Sequence, residues 1–407
     1  MTRSNKFFAP IFVSFVAFAL ASLLGLSMRW AFVLDFPDWF EYRNIEHAHS
    51  HLALLGWLHS MFLIGIAYCF DLTWKRYEKL FWWMQASVLG MLLTFPVVGY
   101  APPSIACTVI HMILSYAFAY KVIQDLGSRF KNDISALFLK ASLFFMVLST
   151  LGTWALGPIL AMGLKGSALY YGSIQFYLHF QFNGWFIFGL IAILFSILKK
   201  SNVNLDKKLS KSLFITLFIA TLLTFALAVT WSTPYVAIFI TNGIGVVIQM
   251  IALLILLKLL KDHLQLFKKS FSSYISLTFA IAILALSLKI IIQSVVVIPA
   301  IAQISYTIHN FIIGFIHLLM LGCLSLFAFG MISYIFHFAL SSLGTGLFML
   351  GVVITELLLF TQGIMLWLEW GFMPYYYTTL ALGSTIISIG ILIIVVDMVM
   401  NREKYSF

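Results

Sequence analysis

The stretch Ile386-Ile-Ser-Ile-Gly-Ile-Leu-Ile-Ile-Val-Val396 interrupts nine aliphatic side chains with only a serine and a glycine. No water-facing surface tolerates such a run, and a helix apolar on every side belongs in lipid or deep in a bundle. Ile281 to Leu288 reads the same way. So does the whole chain: of 407 residues, 62% are hydrophobic and 9% charged, a composition that soluble and disordered classes do not reach. The fold class is all-α, a polytopic membrane bundle.

A bilayer core about 30 Å thick needs roughly 20 apolar residues per helix. Twelve such spans are expected, near 7–29, 46–70, 80–100, 104–124, 136–160, 171–197, 210–231, 235–260, 271–298, 303–332, 342–367 and 373–398. The first, from Phe7 to Met28, is expected to be a retained helix. Lys and Arg gather at Arg3 and Lys6, Lys75 to Lys79, Lys121 to Lys131, Lys199 to Lys211, Lys258 to Lys269, and Arg402 with Lys404, which puts both termini on the cytoplasmic side. The same loops account for the net charge of +10, so no nucleic-acid partner is expected; the partner is the lipid bilayer. No linker divides the chain, and 1–407 is expected to form a single transmembrane domain. Cys69, Cys107 and Cys323 all fall in apolar stretches without a CxxC motif and read as packing residues.

Histidine breaks the apolar pattern. His51 and His59 fall on span 2, His111 on span 4, His179 on span 6, and His309 with His317 on span 10, all on even-numbered spans that start at the outer face. His51, His111, His179 and His309 are expected about two turns into their helices, and His59 and His317 eight residues deeper, roughly 12 Å. A pattern HxxxxG recurs as His51–Gly56, His179–Gly184, His309–Gly314 and His317–Gly322. Its first three occurrences lie 128 and 130 residues apart, which suggests three pseudo-repeats of four helices. Each glycine removes a side chain where a neighbouring helix, or a flat macrocycle, would approach.

An unpaired polar ring in hydrocarbon costs several kcal/mol, so these imidazoles need partners or a metal. One histidine is explained by a helix-to-helix hydrogen bond; a layer of six suits metal ligation, and heme best, with aromatic side chains for walls. The surface cluster Glu46-His47-Ala-His49-Ser-His51 would converge on copper or zinc only if extended, and His47 and His49 are otherwise expected as interfacial residues or donors to heme propionates. Arg29, Arg43 and Lys165 are the outer-side cations available to propionates. Lys289 with Gln293, and Glu356 with Gln362, are candidates for a proton path.

Twelve spans, outer-leaflet histidines on spans 2, 6 and 10, and a threefold repeat resemble the catalytic subunit of the heme-copper oxidases and nitric-oxide reductases. The phrase His49-Ser-His51-Leu-Ala-Leu-Leu-Gly56-Trp57 is similar to the low-spin heme segment of that superfamily's shorter members, and to the WHAHExLxG phrase of the NnrS-type membrane heme proteins. The resemblance implies that His51 pairs with His309 or His317 around one b-type heme, with Gly56, Gly314 and Gly322 beside it. It also implies that His179 is a copper or non-heme-metal ligand, and that a second heme or metal uses His179, His111 or His59. The sequence departs from the superfamily at three points. Span 7 has no histidine, Asn183 stands where a tyrosine is expected, and the span 10 histidines are eight apart. The expectation is a reduced form without a complete copper site, in a bacterial cytoplasmic (inner) membrane, taking electrons from a donor subunit or cytochrome and binding or reducing nitric oxide or oxygen. The alternative is a cofactor-free secondary transporter whose histidines line a proton or substrate path.

Overall fold

The computed structural model describes residues 5–127, 132–230, 232 and 234–405; Arg3, Lys131, Trp231 and the side chain of Lys404 lie outside the described residues. Among those described, no strand occurs, and twelve helices are long and apolar enough to cross a membrane. They are α1 (Phe8–Trp30), α2 (Tyr42–Cys69), α3 (Glu78–Val98), α4 (Pro102–Leu126), α5 (Ile134–Ala161), α6 (Ala168–Lys200), α7 (Lys207–Val229), α8 (Val236–Asp262), α9 (Ser273–Val295), α10 (His309–Phe336), α11 (Ser342–Trp367) and α12 (Tyr376–Met400). The protein is therefore an all-α, multi-pass membrane protein.

Local chemistry sets the helix starts. Asp133, Ser167, Asp206, Ser272 and Ser341 each accept a backbone N–H of the first turn of α5, α6, α7, α9 and α11. Pro102 opens α4, where its missing N–H has no intrahelical acceptor to lose.

The helices form two compact units, interleaved along the chain. The first comprises Met1–Val122, Leu277–Ala282 and Ile313–Phe407, and the second Ile123–Ser276 and Ile283–Ile312. In the first, α11 and α12 meet backbone to backbone: a Cβ on Gly351 would stand 2.9 Å from the Gly383 carbonyl oxygen, and one on Gly390 2.6 Å from the Phe348 nitrogen. Small residues spaced by seven permit that approach, since lipid supplies no hydrophobic drive between helices. The centre of this unit is aromatic, with Phe18 stacked on Trp57 at 4.4 Å and Phe348 against Phe329 at 5.1 Å. In the second unit, Phe138, Phe145, Phe188, Phe214 and Phe218 join α5, α6 and α7.

Three helices change pitch midway. Leu52–His59 in α2, Phe180–Phe186 in α6 and Leu318–Ser325 in α10 are π-helical, and each follows a histidine directly: His51, His179 and His317. Serine hydroxyls cover carbonyls in or beside these wider turns: Ser60 donates to Leu55 O (3.2 Å), Ser325 to Met320 O (2.8 Å), and Ser142 of α5 to Trp185 O (2.6 Å). The HxxxxG recurrence thus extends to the backbone, but with a corrected register. The repeat-related histidine of α10 is His317, so the intervals are 128 and 138 residues.

His309 is corrected as well. It is the first residue of α10, not a residue two turns in, because Pro299 starts a separate short helix, Pro299–Thr307, and Ile308 is extended (φ −99°, ψ 100°). The α-helical segments ending at His51, His179 and His317 are 10, 12 and 9 residues long, so each of these rings lies two to three turns from its own helix start.

Candidate functional site

The start of α2 is helical from Tyr42, so histidines two apart diverge and the surface cluster does not converge on one ion. His49 faces α1, where its Nδ1 lies 2.8 Å from the Ala21 carbonyl oxygen. A carbonyl only accepts, so Nδ1 carries the proton and Nε2 keeps its lone pair. Gly25 makes room for the ring: a Cβ there would stand 2.8 Å from His49 Cε1. His51 faces the other way. Its ring packs on Phe95 of α3 at 4.3 Å, its Nδ1 donates to His47 O (2.8 Å), and its Nε2 lies 3.3 Å from the Tyr100 hydroxyl.

The groups that bear electrostatically on His317 of α10 are Arg29 of α1 and His49 of α2. Arg29 is in electrostatic contact with Glu356 of α11 and with Tyr42 and Tyr376. Neither carboxyl oxygen of Glu356 makes a hydrogen bond, although the residue is only 8% exposed. The first unit therefore gathers two imidazoles, a guanidinium and a carboxyl from four helices. Sequence reading picked out His317, Arg29 and Glu356 separately, and cast His49 only as an interfacial residue or propionate donor. Gln362, read beside Glu356, instead holds the turn after α11: it donates to Gly371 O (3.0 Å) and accepts from Met373 N (2.8 Å).

His59 and His111 do come together, from α2 and α4, with ring centroids 5.0 Å apart at 68°. Ser115 Oγ lies 3.5 Å from His59 Nε2 and from His111 Nδ1, beyond good hydrogen-bond length, and donates at 2.9 Å to the His111 carbonyl. His111 Nε2 is buried without a hydrogen-bond partner.

In the second unit, His179 is tied at both nitrogens. Nε2 donates to Thr221 O of α7 (2.8 Å), and Nδ1 accepts from Asn183 Nδ2 (3.3 Å). Asn183 turns its Oδ1 to the ammonium of Lys289 on α9, which also donates to Gln293 Oε1 (2.7 Å). Lys289 is fully buried. Beside this chain lies a cavity of about 10 Å³, room for one water, whose lining includes Asn183, Thr221 and Gln249 among aliphatic side chains; Thr221 Oγ1 and Gln249 Oε1 are buried without hydrogen-bond partners. For His179 to ligate a metal, one of its two bonds must first break.

The glycines resolve in favour of neighbouring helices. Ala17 and Val88 close on Gly56, Phe145 on Gly184 and Phe360 on Gly314, each within about 3.1 Å of an added Cβ, while Gly322 is buried inside the α10 π-segment. Neighbouring helices thus pack against Gly56 and Gly314, one of the two approaches these glycines permit. Of the outer cations, Arg29 sits by His317, Arg43 by His47, and Lys165 in the turn between α5 and α6 of the second unit. The three cysteines are free thiols, and among the described residues no group of three or more His, Cys, Asp or Glu is arranged to hold a metal ion. No protein-family model matches the sequence, and no curated protein matches it.

Proposed function

We propose that this protein is a membrane heme protein resembling a reduced heme-copper oxidase catalytic subunit, with at least one b-type heme held in the first unit. The observation that carries this reading is that His49, held by Ala21 O, and Arg29 both bear electrostatically on the buried His317. Both imidazoles come from histidine-bearing even-numbered helices, and His49 has its Nδ1–H on a backbone carbonyl. That is the outer-shell bond that orients ligating histidines and leaves Nε2 for the metal. The donor set suits heme: two neutral imidazole nitrogens would hold the iron, and a guanidinium would pair with a propionate. His49 and His317 would hold the iron, with His51 the alternative ligand from α2. Bound heme would supply one-electron chemistry and a site for nitric oxide or oxygen.

The chain's own residues do the rest. Ala21 O fixes the His49 tautomer, Gly25 gives its ring space, and the Trp57 Nε1–H to Ser325 Oγ bond (2.9 Å) ties the π-segments of α2 and α10 together. That bond holds the two histidine-bearing helices in fixed register. Glu356, with two unsatisfied oxygens beside Arg29, is placed to take up a proton when the charge of the site changes. The location is a bacterial cytoplasmic membrane, and the electron donor a separate subunit or cytochrome.

A second reading, a proton-coupled transporter, is favoured by the His179–Asn183–Lys289–Gln293 chain and its one-water cavity. The reduced-minus-oxidised optical spectrum of protein purified from heme-replete cells separates the two. A sharp six-coordinate b-heme band is expected; a featureless spectrum leaves the transporter.

A further inference from the structure

We infer that the first unit carries a binding site for a small quaternary ammonium ion, walled by aromatic rings where the α1–α2 and α11–α12 connections meet. The site does not depend on bound heme. Beyond the ends of α1 and α11 lies a cavity of about 330 Å³, within the range of small-molecule sites, and five rings line it: Phe32, Phe372, Tyr375, Tyr376 and Tyr377. They do not form a flat layer. Tyr377 is nearly parallel to Phe32 (centroids 5.1 Å apart, 11°) and to Phe372 (5.9 Å, 28°), whereas Tyr376 stands at 65° to Tyr377 and 55° to Phe372. Rings set at an angle around one space bring several quadrupoles to bear on one occupant, and a cation within about 6 Å of a ring centroid is attracted to them.

The walls are held in advance. Gln362, fully buried on α11, donates to Gly371 O (3.0 Å) and accepts from Met373 N (2.8 Å), so the backbone of Phe372 between them is fixed although its ring is half exposed. Glu369 and Tyr375 take left-handed backbone (φ 59° and 56°), which residues other than glycine keep only where their surroundings impose it. An aromatic belt that merely anchors helices at the headgroup level needs neither the clamp nor the strain.

Charge selects the occupant. Connections 31–41 and 368–375 carry Asp35, Asp38, Glu41 and Glu369, all exposed, and no Lys, Arg or His, in a chain whose net charge is +10. Arg29 bears on Tyr376, but Glu356 bears on Arg29 in turn. An anion is therefore disfavoured, and a neutral apolar guest gains nothing from the carboxylates. A metal cation takes a shell of oxygen ligands, which a lining of rings does not supply. A methylated ammonium suits both the rings and the acidic connections around them.

The test uses the full-length protein in a maltoside detergent, which has no ammonium group, and follows choline by saturation-transfer NMR titration. Saturable binding is expected, and neither potassium nor dimethylbutanol, the uncharged isostere of choline, should compete. Phe372→Leu and Tyr377→Leu are each expected to weaken choline binding about 5–30-fold, the loss of one cation–π contact, while Tyr377→Phe keeps it within about 2-fold. Thermal unfolding checks that each variant is folded, and Phe372→Leu alters only a half-exposed side chain. Glu369→Gln should weaken binding less and make it less sensitive to salt. The isostere competing as well as choline, an affinity unchanged in both leucine variants, or choline excluded once phosphatidylglycerol nanodiscs let acyl chains fill the cavity, each overturns the assignment.

Discussion

The π-segments of α2 and α6 are the same device put to different ends. Both follow a histidine, and both carry a Gly-Trp pair at the same offset, Gly56-Trp57 and Gly184-Trp185. What differs is the residue one turn on. Leu55 stands four after His51, and Asn183 stands four after His179. The leucine leaves His51 with only its own helix and the Tyr100 hydroxyl as hydrogen-bonding contacts. The asparagine ties His179 to Lys289, 106 residues away, while Thr221 takes the other nitrogen. Both rings have a partner at each nitrogen; the amide's difference is that it links His179 to a buried ammonium, where His51 meets only a phenol hydroxyl and its own backbone. The α10 copy, His317 followed by Leu321, belongs with the first kind.

The comparison can be broken most severely at the glycines. An alanine methyl at 184 would stand 2.4 Å from Phe145 Cβ, against 2.9 Å from Ala17 Cβ at position 56. Gly184→Ala should cost about 3 kcal/mol and Gly56→Ala nearer 1 kcal/mol, read as loss of folded protein in thermal or denaturant titration in detergent. Equal costs would mean the two glycines are packed equally tightly, against the distances.

Asn183→Leu makes the second unit's turn resemble the first. It removes an acceptor from the buried Lys289 ammonium and a donor from His179, for an expected cost of about 2–3 kcal/mol. Leu55→Asn should not produce the converse gain. A stability unchanged by Asn183→Leu would remove the network from the account. Smaller again is Trp57→Phe, which keeps the stack on Phe18 and loses only the bond to Ser325, about 1 kcal/mol; Ser325→Ala also gives up the bond to Met320 O and should cost more, and the double variant little more than Ser325→Ala alone.

The least effect is expected at the second unit's membrane edge. Asp133 caps α5 and pairs with Lys199 at the end of α6. Burial pushes its carboxyl up, but the Lys199 and Ser135 hydrogen bonds outweigh burial and hold it below the ordinary value. A lowered folded-state pKa means the contribution is present above the unfolded value, near 4, and fades as pH falls through the lower folded value. Lys199 is largely exposed, so Asp133→Asn should cost only about 1 kcal/mol at pH 7, and the difference from wild type should shrink in acid.

Much of this was readable in the sequence. Twelve apolar runs near membrane length located twelve helices to within a few residues, because lipid permits little else. The HxxxxG recurrence pointed at the three turns that change pitch. It did not reveal the pitch, since whether a carbonyl pairs four or five residues on depends on hydroxyls such as Ser142, which comes from another helix. Hydropathy ran span 10 back through Ile304 and Tyr306, blind to the extended backbone at Ile308, and so matched His309 instead of His317 to the repeat. The direction in which each ring of His49 and His51 turns depends on what packs against α2. Hence the α2 histidine that bears electrostatically on His317 is His49, while His51 turns toward Phe95 and Tyr100.

The most direct test is the heme content of the purified protein by pyridine hemochrome for wild type, His317→Leu, His49→Leu and His179→Leu, each first shown to be folded by size exclusion. The account predicts that the first two substitutions abolish bound heme and that His179→Leu retains it. Heme retained without His317, or lost only without His179, would contradict it.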